Sequence, residues 1–230
     1  MSLPITNQRR ATDRKSIVPE RLGSSEFRRR HRLRYNYVAG AMYKGIASKE
    51  LVVRMGKAGF LGYLGSGGMQ LSRLEADIRF IQAALGRDGI YGVNLLASPF
   101  APHVEEAVVD LLLRYGVRRV EAAAFTQMTP ALVRYRASGL AIEPGKTVGI
   151  AHLVLAKVSR PEVAEQFLRP APAAILKRLV QNGGITPLQA ELAEKVPMTD
   201  DLCVEADSGG HTDRGVFHAL FPVMRRLRDS

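Results

Sequence analysis

The chain contains no tryptophan and only one cysteine, Cys203, in 230 residues. A lone thiol cannot close an internal disulfide, and it is too few for a cysteine-based zinc site, so a reducing, cytoplasmic setting is expected. No run of 18 or more apolar residues occurs, so no membrane-spanning helix is expected. The N-terminus has no apolar block followed by a small-residue cleavage site, so no secretory signal is read. The five histidines follow no HExxH spacing, no GxSxG elbow presents a serine, and neither GxGxxG nor a P-loop lysine occurs. No metal site is expected. There is no short-period repeat and no low-complexity linker dividing the body.

What remains is a chain that is 46% hydrophobic, enough for one large core, with a formal charge of +11. The charge is uneven. Residues 1–34 hold ten Lys/Arg against Asp13, Glu20 and Glu26, a local +7, which leaves +4 for the other 196 residues. Residues 1–34 therefore read as a basic N-terminal arm and 35–230 as the body. No aromatic interleaving or recognition helix accompanies the arginines, so nucleic acid is not the expected partner. A solvated, partly ordered arm or a docking surface for an acidic protein fits better.

Along the body, strand-like and helix-like runs alternate. "YNYVAGAM" (35–42), "FLGYLGSGG" (60–68), "YGVNLL" (91–96), "VRRVEAAA" (117–124), "GIAHLVLAKVS" (149–159) and "DDLCVEAD" (200–207) read as strands. Helices are expected at 48–59, 71–85, 103–116 and 129–139, around 161–168 and 172–182, then at 186–196 and 212–228. Ser48, Thr129 and Thr186 are placed to cap three of them. Repeated βα units argue an α/β fold with a parallel sheet. Polar and glycine residues cluster just after the strands, as in a TIM (β/α)₈-type barrel whose loops share one mouth. Only about six βα units are present, so the barrel is expected to be incomplete at the C-terminus. Two open sheet edges would then favour a homo-oligomer.

Candidate site residues follow the strands. "LGSGGM" offers Gly65, Ser66, Gly67 and Gly68, where backbone can come close to a ligand or simply turn tightly. Asn94 lies within an apolar strand and must find a partner in the backbone or in a ligand. Lys157 ends another such run; Glu121 or Glu205 could pair with it, or a ligand could. "VEADSGGHTD" (204–213) sets His211 after Gly209 and Gly210, where an imidazole can exchange a proton near neutral pH. His103, His152 and Cys203 have plainer readings as helix-start, strand and core residues. The residues alone ask for an extended, partly anionic ligand over a barrel mouth.

"YVAGAMYKGIASKELVVRMGKAGFLGYLGSGGM", "YGVNLL", "GVRRVEAAAF", "LAKVSRPEVAEQFLRPAP" and "VEADSGGHTD" resemble, in this order, the PfaD-like trans-acting enoyl reductases of polyketide and polyunsaturated fatty acid synthases. These are relatives of nitronate monooxygenases (2-nitropropane dioxygenases). The resemblance runs from about residue 20 to the end. It implies an FMN-containing TIM barrel that takes hydride from NADPH and reduces an α,β-unsaturated acyl thioester on an acyl carrier protein. Gly40, Ala41 and Met42 match the stretch that lies against the flavin. Gly65 to Gly68 match the second-strand loop, and Asn94 the asparagine at the flavin's polar part. Lys157 and the segment Asp207, Ser208, Gly209, Gly210 complete the implied cofactor contacts, with His211 as the catalytic histidine. The phosphate loops of the last two barrel strands have no counterpart in this sequence. The alternatives are nitronate monooxygenase-like oxidation, which shares the flavin and histidine, and a truncated, cofactor-free interaction subunit of a synthase complex, a different class that the missing phosphate loops support.

Overall fold

Local capping chemistry places the helices. Ser48 accepts the Leu51 N–H ahead of α2 (Lys49–Lys57), and Thr129 accepts the Leu132 N–H ahead of α5 (Pro130–Ser138). Thr186 and Gln189 form a reciprocal capping box before α8 (Pro187–Ala193). In α3 (Leu71–Leu85) the helical stripe buries Leu74, Ile78 and Ile81. α4 (Pro102–Tyr115) stops at Gly116 in the left-handed conformation, φ 61°. α6 (Pro161–Leu168), α7 (Ala173–Gln181) and α9 (Phe217–Asp229) complete the outer helices of this computed structural model, which describes residues 18–206 and 215–230.

The strands are β1 (Val38–Ala39), β2 (Leu61–Leu64), β3 (Gly92–Leu96), β4 (Arg119–Ala123), β7 (Leu153–Val158) and β8 (Asp201–Val204). They pair in parallel in the order β1-β2-β3-β4-β7-β8, a curled sheet of the TIM-barrel type, as the βα alternation predicts. Among the described residues β1 and β8 each pair on one side only.

The two faces of the sheet differ, and this difference positions the site. The outer face meets the helices in a large apolar core that includes Val93, Val120, Ala122, Val154 and Ala156. The inner face carries a small separate cluster of Leu61, Tyr63 and Leu155, with Leu33 beside it. In register across that sheet run Asn94, Glu121, Leu155 and Asp201. Because side chains alternate along a strand, the polar members of the inner row follow from the apolar outer row.

Two features differ from the sequence reading. The run 149–159 is two strands rather than one: β5 (Leu140–Ile142) and β6 (Val148–Ile150) form an antiparallel hairpin, and β7 starts only at Leu153. The turn "EPGK" between them uses left-handed backbone at Gly145 and Lys146. His152 marks the break, its ring stacked on Tyr135 and its Nδ1 2.8 Å from the Tyr135 carbonyl. The second feature lies in the arm. Residues of 1–34 fold into α1 (Ser25–His31), which docks at the start of β8. Arg30 donates to Asp201 at 2.9 Å, His31 Nε2 stands 2.8 Å from the other Asp201 oxygen, and Arg119 donates to the His31 carbonyl. Arg30 and His31 thus pack onto the body, where they pair with the partly buried Asp201 carboxylate at the start of β8.

Candidate functional site

The loop after β1 and the loop after β2 are packed on each other. Gly65 donates to the Ala47 carbonyl at 3.1 Å, and Lys44 donates to the Gly67 carbonyl at 2.8 Å. A Cβ on Gly65 would lie 1.7 Å from the Met42 carbonyl oxygen, so only glycine fits there. Gly68, at φ +71°, is covered by the Tyr43 ring, 2.6 Å from where a Cβ would stand. The room left by these two glycines is taken by the chain's own first loop, not left open for a ligand.

From this pair of loops a polar network crosses the inner face. The buried Ser66 hydroxyl donates to the Asn94 carbonyl at 2.6 Å, and the Asn94 amide donates to the Glu121 carbonyl at 3.0 Å. Glu121 Oε2 accepts the Ala41 N–H at 2.9 Å. Its Oε1 lies 3.3 Å from the Lys157 ammonium, and Lys157 also meets Glu205 at 2.8 Å. Ala41, Ser66, Asn94 and Lys157 are therefore brought together, with Gly40 beside Glu121 and Met42 at the exposed lip. Asp207, Ser208, Gly209, Gly210 and His211 lie outside the described residues.

This network borders a cavity of about 800 Å³ between β1 and β8, with Gly40, Glu121, Leu155, Lys157 and Cys203 in its wall. Glu121 is only 1% exposed, and burial raises its carboxyl above the usual range against the pull of Lys157. Burial works to lower the Lys157 ammonium, yet Glu205 and Glu121 outweigh it and hold the group above its ordinary value. Burial raises the Cys203 thiol, which keeps it protonated and poorly nucleophilic. The cavity thus offers a fixed cation between two carboxylates, in a wall that mixes apolar residues such as Val38, Leu155 and Leu202 with charged ones such as Arg30 and Asp201. No group of three or more metal-ligating side chains occurs among the described residues, nor is any helix there long and apolar enough to cross a membrane.

Glu121 is the residue that sequence reasoning brought in only as a possible partner of Lys157. Its signal is an acid in the middle of "VRRVEAAA", at a position whose strand neighbours Val120 and Ala122 are core.

No protein-family model matches the chain. It is 50% identical over 213 residues to the polyketide biosynthesis protein PksE of Bacillus subtilis, covering 93% of this chain and 28% of that protein. It is 49% identical over 190 residues to a polyunsaturated fatty acid synthase component of a Thraustochytrium species, covering 83% of this chain and 13% of that protein. The chain thus spans less than a third of either relative. Among solved structures it superposes on the enoyl reductase domain of MlnA, from the macrolactin biosynthesis cluster of Bacillus amyloliquefaciens. That match has a TM-score of 0.87 at 37% identity and covers 91% of this chain and 47% of that one. FabK from Thermotoga maritima, at 18% identity and a TM-score of 0.60 over 89% of this chain and 54% of that one, shares the fold. The chain is a homologue of polyketide and polyunsaturated fatty acid synthase proteins, and the resemblance drawn from its motifs holds.

Proposed function

We propose that this chain forms the flavin-binding part of an enoyl reductase acting on α,β-unsaturated acyl thioesters, delivered on an acyl carrier protein of a polyketide or fatty acid synthase. The observation that carries the reading is the Ser66–Asn94–Glu121–Lys157 network bordering an 800 Å³ cavity, in a chain that superposes on an enoyl reductase domain.

The residues fit the polar edge of FMN. Glu121 Oε1 is a buried acceptor that no donor meets in hydrogen-bond geometry, and it stands beside a fixed ammonium. An edge carrying both an N–H donor and carbonyl acceptors satisfies such a pair. Lys157, Glu121 and the Gly40–Met42 segment would hold that edge, with Asn94 and Ser66 keeping the neighbouring backbone in place. When bound, flavin supplies the transfer of two electrons from a reduced nicotinamide, NADPH, to the enoyl β-carbon as hydride. The chain's own contribution is charge and placement. Lys157 offsets negative charge that develops at the cavity wall. His211, three residues beyond Ser208 in "SGGH", is the proposed donor of the proton that completes the α-carbon.

The test is a fluorescence titration of the purified chain with FMN, followed by turnover of a crotonyl thioester with NADPH. Lys157→Gln should weaken FMN binding about tenfold, roughly 1.4 kcal/mol. His211→Ala should leave FMN affinity unchanged and cut turnover by about a hundredfold or more, the usual scale of a lost general acid. Failure to bind FMN, or full turnover without the imidazole, refutes the reading.

A further inference from the structure

Glu121 has an unusual position for a carboxylate. It is the third residue of β4, 1% exposed, on the inner face of a sheet whose other buried inner residues include Leu61, Tyr63 and Leu155. Leucine or valine would fill such a place without desolvating a charge, whereas an ion buried there costs several kcal/mol before any partner repays it. The two oxygens do different work. Oε2 reaches sideways to the Ala41 N–H, just beyond β1, and Oε1 faces the Lys157 ammonium on β7. One carboxylate therefore joins the first strand's exit to the lysine on the far side of the inner wall.

Lys157 could be satisfied without it. Glu205, just past β8, meets the same ammonium at the shorter distance of 2.8 Å. With Glu205 alone, the flexible lysine would be drawn toward β8, away from β4. Glu121 supplies the opposing pull, so the ammonium is held over its own strand between two neighbours. Cys203, the register partner of Lys157, lies beside this cluster and stays a neutral thiol.

We propose that Glu121 is the positioning residue of the cavity: its charge fixes the station of the Lys157 ammonium, while its second oxygen fixes the Ala41 amide. The inference deepens the flavin reading and rests on it only for its consequence. An ammonium fixed and partly neutralised by Glu121 sets how readily a flavin beside it accepts electrons. Removing the Glu121 charge leaves Lys157 less neutralised and favours the reduced, more negative flavin.

Two measurements separate the ideas. The first needs no cofactor: the pH dependence of Lys157 acetylation in the whole chain, read by peptide mass spectrometry against the exposed Lys177 as internal reference. Glu121→Gln keeps the size of the side chain and an acceptor for Ala41 but removes the charge. The midpoint of the Lys157 profile should then fall, with labelling at mildly alkaline pH rising at least threefold. Glu121→Asp, which keeps the charge, should restore a midpoint near that of the unaltered chain. The second is the reduction potential of bound FMN, which should move to more positive values in Glu121→Gln. A carboxylate that merely filled space would leave both midpoint and potential unmoved, and that outcome overturns the proposal. If the midpoint falls but no variant binds FMN, the positioning role stands and the flavin reading fails.

Discussion

Arg136 is the most buried large cation described in the molecule, at 1% exposure, and it controls where β8 begins. Its guanidinium donates to Asp200 Oδ2 at 2.7 Å and Oδ1 at 3.2 Å, to the His152 carbonyl at 2.9 Å, and twice to the Pro197 carbonyl. Asp200 Oδ2 also accepts the Val154 N–H at 2.8 Å, so the pair joins α5, β7 and the entry to β8. Arg136→Met removes the cation but retains most of the apolar volume. It leaves Asp200 buried with one backbone donor, a change that costs about 3–5 kcal/mol. At about 2–4 °C per kcal/mol for a chain of this size, the melting temperature should fall by roughly 6–20 °C, read by circular dichroism. Arg134→Ala, which breaks the surface pair of Arg134 with the half-exposed Asp110, should cost less than about 1 kcal/mol and serves as the contrast. The double variant Arg136→Met/Asp200→Leu removes both charges and should recover a large part of the loss. If Arg136→Met cost no more than Arg134→Ala, or the double variant were no more stable than the single, the ion pair would not be holding β8 and the reasoning would be wrong.

Two further outcomes follow from the geometry. Gly65→Ala should destabilise the chain by several kcal/mol and abolish FMN binding, because the new Cβ meets a backbone oxygen at 1.7 Å. Gly67→Ala, whose Cβ would meet the side chains of Leu96 and Tyr43 at 3.3 and 3.4 Å and Asn94 Oδ1 at 3.9 Å, should stay within about 1 kcal/mol, both variants being read by urea titration. Burial lowers the His152 pKa from the ordinary 6.5, so the unfolded chain takes up that proton first. Its contribution to stability is therefore present above 6.5 and is lost as the pH falls through the lowered folded value. His152→Phe should flatten the acid side of the stability profile; an unchanged slope below pH 6.5 would show that another group carries it.

The parts of this molecule that were legible in its sequence are those whose causes are local. Ser48, Thr129 and Thr186 announce their helices because a side-chain oxygen caps an amide three residues on, and the strand runs announce themselves by their apolar character. Lys157 was readable as a charge needing a partner, since an ammonium in an apolar run must find one, and the structure supplies both carboxylates considered for it. The hairpin of β5 and β6 is hard to read because in "VGIAHLVLAKV" only His152 interrupts the apolar character before Lys157, with no proline or glycine at the break, and tertiary contacts show that the chain turns at Ala151. There the Ala151 amide bonds back to Gly139 and the His152 ring stacks on Tyr135. Arg136 has the same difficulty in stronger form: a cation in "VRYRAS" reads as solvated until Asp200, far along the chain, is folded against it. The glycines of "LGSGGM" show why motif and role can separate. Their lack of side chains suggested close approach to a ligand, and close approach is what they provide, but at Gly65 and Gly68 the approaching groups are the Met42 carbonyl and the Tyr43 ring. Those glycines therefore act on the site indirectly. They seat the first loop, the seated loop presents the Ala41 amide, and Glu121 takes that amide with one oxygen while facing Lys157 with the other.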